Sequence, residues 1–239
     1  MGSLRSRYLD LESAGFNNRF VLLNRSGFED VSLYVGQHLR TTCLLLGLGF
    51  SVALLLADDW PGPKRDEVFS QNGLRFVRIL PGESVGDTFG FAGAKKGRFA
   101  RAEFYLRQPN RSYKMIADVE LLNPVAPVSS MLSDTGALIT FDNWHNAGYG
   151  NVVVIYSPTG KRLAAKELED LYEDETLATL PMSTSSRWWR CRPMGWSDVD
   201  GQTKVFVHDR LGGYFVFDLT EGSHRYEPGS APCAAGQGL

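Results

Sequence analysis

The larger, C-terminal part of this chain predicts an all-β, antiparallel fold, and three observations carry that expectation. Apolar and polar residues alternate along two arms, 98–107 and 112–121. Short β-branched and aromatic runs recur between Gly, Pro and Asp turns from residue 128 to residue 226. Aromatic side chains are plentiful, which suits pleated, half-buried surfaces.

A different kind of segment precedes that part. The run Thr41 to Ala57, TTCLLLGLGFSVALLLA, holds no charged side chain, and Arg40 stands before it with Asp58 and Asp59 behind. It sits at the short limit for crossing a hydrocarbon core, where about 20 apolar residues are usual. With Arg40 held inside, the expected orientation puts the N-terminus in the cytoplasm and everything from Asp58 onward in the periplasm or outside the cell. A cleavable signal would need a small-x-small site. Cutting after Ala57 puts Leu55 at the upstream small position, so an uncleaved signal-anchor is favoured over secretion. Residues 1–40 are too long for an ordinary leader and mix Arg5, Arg7, Arg19 and Arg25 with Asp10, Glu12, Glu29 and Asp30. They read as a cytoplasmic tail, or as a leader with the true start downstream.

The bulk numbers exclude several classes. A formal net charge of −2 over 239 residues gives no support for nucleic-acid binding. Of the three cysteines, Cys43 lies inside the apolar run and does not fit a lipoprotein site. Cys191 and Cys233 both fall on the translocated side, where a disulfide between them is permitted.

Residues 58–73, rich in Pro, Gly and charge, read as a linker. The β-repeat domain then runs over 74–226, with 227–239 as a disordered tail. Leu74 to Leu80 alternates as a strand, and the glycines of 82–97 mark a long loop that matches neither the phosphate-loop nor the dinucleotide spacing. Ala100, Ala102, Phe104 and Leu106 lie on one side of the first hairpin arm. After the turn at Gln108-Pro109-Asn110, the second arm returns with Tyr113, Met115, Ala117, Val119 and Leu121. Beyond Pro127 the order is strand 128–132, turn 134–136, strand 137–141, insertion 142–150, apolar strand 151–156, turn 158–160 and strand 161–165. That is the order of one four-stranded propeller blade. A weaker copy follows about 50 residues on, in 185–191, 204–209, 213–219 and 223–226. An acidic helix, 166–177, stands between the copies.

The stretch SDTGALITFDNWHNAGYGNVVVIYSPTGKRLAAKELEDL, with LPMSTSSRWWR after it, resembles bacterial exported or membrane-anchored proteins with propeller-like β repeats. Ser133, Asp134 and Gly136 carry the S-[DN]-x-G turn, and Thr140, Phe141, Asp142 and Trp144 the T-F-D-x-W segment. Gly148, Tyr149 and Gly150 with Val153 to Tyr156 carry the next strand; Ser185, Ser186, Trp188 and Trp189 carry the last element. The likeness implies architecture and location, and carries no catalytic residues. A closed propeller needs at least four blades. Two blades and one hairpin system are legible here, so an incomplete or open assembly, or closure through oligomerisation, is the alternative.

The loop 142–150 is the strongest ligand-binding candidate. Asp142, Asn143, Trp144, His145 and Tyr149 bring a carboxylate, an amide, two aromatics and an imidazole to one strand end. Trp144 and Tyr149 would stack on a sugar or peptide while Asp142 and Asn143 fix hydroxyls. The alternative is a structural corner: Asp142 caps the loop's own amides, Trp144 packs in the core, and the glycines supply positive φ. No histidine spacing supports a metal at His145, His208 and His224. Asp142 with Asp209 or Asp118 has no fixed separation for acid/base work, and Ser185 and Ser186 lack a nucleophile elbow. No cofactor is called for. The leading expectation is a membrane-anchored, non-enzymatic binding or scaffolding module with an envelope protein or glycan as partner. The rival is a hydrolase of envelope glycans or peptides.

Overall fold

The computed structural model describes residues 60–86, 94–183, 185–199 and 202–229. The apolar run 41–57, the N-terminal 40 residues, Cys43 and Cys233 lie outside them. No helix among the described residues is long and apolar enough to cross a membrane.

The described chain is all-β and antiparallel, built as three successive four-stranded meanders. The first joins β1 (Asp66–Phe69), β2 (Arg75–Leu80), β3 (Arg101–Arg107) and β4 (Tyr113–Glu120) in that order. The second joins β5 (Pro127–Leu132), β6 (Leu138–Asn143), β7 (Val153–Tyr156) and β8 (Arg162–Lys166). The third joins β9 (Arg190–Val199), β10 (Gln202–Asp209), β11 (Tyr214–Asp218) and β12 (His224–Glu227).

Three expectations need correction. Part of the supposed linker is a strand: β1 pairs along β2 from Asp66↔Ile79 to Phe69↔Phe76, so the hairpin system is a complete four-stranded sheet. The acidic helix is two separate turns, a 3₁₀ turn at Leu168–Asp170 and a one-turn helix, α1, at Asp174–Leu177. Tyr172, between them, is drawn inward, its hydroxyl donating to Asp209 Oδ1 at 2.6 Å. The expected strand 185–191 begins only at Arg190 and runs on to Val199. Its register with β10 breaks between Val207 and Asp209, and Pro193 falls opposite that break, which a sheet tolerates at an edge strand or bulge.

The middle sheet is covered on both faces, and strict alternation explains how. Ile139, Phe141, Val153 and Ile155 pack with Val205, Val207, Phe215 and Phe217 of the third sheet. Their neighbours Leu138, Val154 and Tyr156 pack with Val77, Ile79, Ala102 and Phe104 of the first. A strand buried on both sides needs no polar face, hence the unbroken apolar run Val152 to Tyr156. Truncating one of these phenylalanines to Ala is expected to cost about 3–5 kcal/mol.

Polar contacts fix the stacking. Leu122 donates its amide to the Tyr156 hydroxyl at 2.9 Å, and Asn72 donates its amide to Asp134 Oδ1, also at 2.9 Å, joining the first and second sheets. The β5–β6 turn needs φ +97° at Gly136, and a Cβ there would come within 2.7 Å of the Arg75 side chain.

Candidate functional site

The loop 142–150 is built around a carboxylate turned inward. Asp142, the penultimate residue of β6, lies in the left-handed region at φ 59°, a conformation that short polar side chains tolerate. Its amide donates to Val152 O at 2.8 Å. Its Oδ1 accepts from the Trp189 indole at 2.8 Å and from the Gly148 amide at 2.9 Å, and its Oδ2 accepts from Arg190 Nε at 2.8 Å. Both members of this ion pair have 0% of their side chains exposed.

Arg190 is satisfied in turn. One terminal nitrogen donates to Ser129 Oγ at 3.0 Å, the other lies 3.7 Å from Met194 Sδ, and the guanidinium sits 5.1 Å from the centre of the Phe141 ring. A buried charge pair survives only when each partner is matched and hydrogen-bonded. The result is a tie between the second sheet and the start of the third.

Asn143 is also consumed within the fold. Its Nδ2 donates to Tyr149 O at 2.7 Å, while Asn123 Nδ2 donates to its Oδ1 at 2.9 Å and to Asp142 O at 3.0 Å. Gly148 adopts φ +79°, and a Cβ there would lie 2.2 Å from Arg187 O. Asp142 and Asn143 thus act as the corner that the alternative reading describes, and neither reaches a ligand at the surface.

The other three candidates lie nearer solvent but do not form one pocket. Tyr149 is half-buried with the Arg187 guanidinium 5.4 Å from its ring centre. His145 sits 5.8 Å from Trp60, and burial pushes its pKa below the ordinary value. Trp144 does not enter the core. Its indole donates to Pro61 O at 3.0 Å and meets Trp60 edge-on at 5.5 Å.

Trp144 thereby pins the segment 61–66 alongside β5 and forms one wall of a cleft of about 340 Å³. Pro61 to Asp66 line it from one stretch of the chain, and Val128, Ser129 and Ser130 of β5 from another. Its volume is at the low end for ligand sites, which run from about 300 to 1,000 Å³. Sequence reasoning missed this cleft, because its two sides are more than 60 residues apart and carry no shared motif.

The remaining titratable groups are dispersed. Asp209 is buried and accepts from the hydroxyls of Tyr172 at 2.6 Å and Tyr226 at 3.1 Å. Burial first, then the Asp209 contact, push both tyrosines above their ordinary pKa. Asp118 pairs with Arg101 on the first sheet. His208 stacks on Tyr214, and His224 on Phe217. Among the described residues no group of three or more His, Cys, Asp or Glu is gathered as a metal would require. Trp189 is the core member of the Trp pair and Trp188 is half-buried. Cys191 is disulfide-bonded, and its partner lies outside the described residues, where Cys43 and Cys233 both fall.

Set beside known proteins, the chain matches no family model and no curated sequence.

Proposed function

We propose that this chain is a non-enzymatic binding or scaffolding module of propeller-like build, anchored by residues 41–57 with its β domain in the cell envelope. Three consecutive meanders, the middle one stacked between the other two, support the propeller-like reading. One observation carries the choice of binding over hydrolysis. The carboxylate of the 142–150 loop, Asp142, has both oxygens occupied by protein donors at 0% exposure, so it has neither access nor a free lone pair aimed at substrate. The accessible cleft is lined by prolines, β5 and Trp144, with Lys64, Arg65 and, among the described residues, a single carboxylate, Asp66, which accepts from the Glu67 amide; one carboxylate without an acid/base partner suits recognition.

Location and role are tested together in cells. An alkaline phosphatase fused after residue 229 is expected to be active and to sediment with membranes. A photo-crosslinking residue at Gly62 is expected to give an adduct in the envelope fraction, whereas one at exposed Leu211 gives none. An inactive, freely soluble fusion would refute the anchored reading. Equal adducts from both positions would refute the cleft as the binding surface.

A further inference from the structure

The cleft has an unpaired strand along one side. β5 is the edge of its sheet, paired only with β6. The hairpin fixes which of its backbone groups are used: Ser133 donates its amide to Ala137 O at 2.9 Å, and the register runs back through Met131↔Ile139 and Ser129↔Phe141. Hydrogen-bonded and non-bonded positions alternate along an antiparallel pair. Ser129 and Met131 therefore face β6, and the amide and carbonyl of Ser130 face away from it. Pro127 has no amide, so its pairing with Asn143 is the widely spaced kind, closed on one side by Trp144 N on Ala126 O and on the other by the Val128 amide on Asp142 O, and Val128 keeps only its carbonyl on the open edge.

The segment across the cleft does not take up those groups, for a chemical reason. Pro61 and Pro63 have no amide hydrogen to donate. No ladder or isolated bridge joins 61–66 to β5 among the described residues. The prolines hold a second chain beside the edge without closing it, and Trp144 keeps that chain in place through Pro61 O. Ser129 and Ser130 present little bulk over the edge. Lys64, at the same lining, has no carboxylate partner among the described residues, whereas Arg65 is paired with Glu67 at 3.1 Å.

We infer that the cleft takes an extended peptide from a partner protein, which adds as a strand to β5 through the carbonyls of Val128 and Ser130 and the amide of Ser130, and places an acidic side chain at Lys64. Main-chain pairing gives such a complex its affinity, and alternate side chains give selectivity. The inference rests on the reading of the chain as a binding module and names its ligand class.

The test pans a phage-displayed random heptapeptide library on the full-length protein in nanodiscs, with Gly62→Phe as the counter-bait. A Cβ at Gly62 meets nothing within 4 Å, so the larger ring enters open space without disturbing the fold; Gly62→Ala is the tolerated control. Peptides enriched on the wild type are expected to carry Asp or Glu at one end and to be lost on Gly62→Phe. N-methylation at alternate residues of a synthetic hit is expected to weaken it at least tenfold, with little effect at the intervening residues. Ser130→Pro, which deletes the outward amide of an edge strand, is expected to lose the same peptides with the thermal midpoint retained. Lys64→Ala is expected to erase the acidic preference. Failure to enrich any peptide, equal enrichment on Gly62→Phe, or N-methyl effects without alternation would each overturn the proposal. A cytosolic phosphatase fusion would instead sink the anchored reading and leave the peptide result standing.

Discussion

Replacing Asp142 by Asn isolates the buried charge pair with little else changed. Asn is tolerated in the left-handed region at φ 59°, so backbone strain does not confound the result as it would for Ala. The amide oxygen can still accept from Trp189 and Gly148, but the amide NH₂ now faces the Nε–H of Arg190, donor against donor. Arg190 keeps its full charge at 0% exposure with no counter-charge at that contact. Breaking a buried pair in this way costs about 3–5 kcal/mol. Against a total stability of about 5–15 kcal/mol, that is about a fifth of the whole or more. Urea unfolding followed by tryptophan fluorescence reads the loss, since Trp189 sits against the substituted atom. The double variant Asp142→Asn/Arg190→Met removes the stranded charge and is expected to recover more than half of the loss. A single-variant loss under about 1 kcal/mol, or no recovery in the double variant, would refute the reasoning. The outcome also bears on hydrolysis: Asp142→Asn weakens the fold, so lost activity in that variant would not by itself mark a catalytic acid.

Three further expectations follow from single contacts. Gly148→Ala combines φ +79° with a Cβ 2.2 Å from Arg187 O, and is expected to lose more than about 2 kcal/mol, whereas Gly195→Ala, with nothing near, stays within about 0.5 kcal/mol in the same urea assay. Burial pushes the Tyr156 hydroxyl up from 10.0 to about 12. The unfolded chain therefore releases this proton first, and stability falls as pH rises through the window from 10 to 12, by about 2–3 kcal/mol in all, at 1.36 kcal/mol per pKa unit. Tyr156→Phe should flatten that limb of the stability curve while losing about 1–3 kcal/mol at neutral pH for the stranded Leu122 amide. Burial lowers His145 below 6.5, and burial with Lys166 nearby lowers His224. The unfolded chain takes up these protons first as pH falls through 6.5, so the thermal midpoint should drop on acidification, and less in His145→Gln/His224→Gln.

The parts of the fold legible in the sequence are those whose pattern is local. The β3–β4 hairpin announces itself by period-two alternation, and β5 to β8 by turn residues at short intervals. β1 carries no strand signature of its own, because Asp-Glu-Val-Phe is short, charged and preceded by prolines, and it becomes a strand only through pairing with β2. The true span of β9 is hidden in the sequence because Pro193 and Gly195 argue against a strand, whereas an edge with a register break accommodates them. The one-helix reading of 166–177 failed to a tertiary contact, the Tyr172 hydroxyl on Asp209 and on Trp189 O.

The candidate site shows the same division. Asp142 was legible as a special position, but its role was set by Trp189 and Arg190, which lie 47 and 48 residues on. Nothing local distinguishes a carboxylate that awaits a ligand from one already matched by a distant arginine. Trp144 was legible as an exposed aromatic, but its use as the wall of a cleft depends on Pro61, 83 residues earlier.

Residue-resolved amide hydrogen exchange separates the two roles in one experiment, because the account makes the 142–150 corner closed and the β5 edge open. The Gly148 amide, held by the buried Asp142 carboxylate, is expected to exchange only with global unfolding, while the outward amide of Ser130 exchanges orders of magnitude faster. Fast exchange at Gly148 together with protection at Ser130 in the free protein would contradict it.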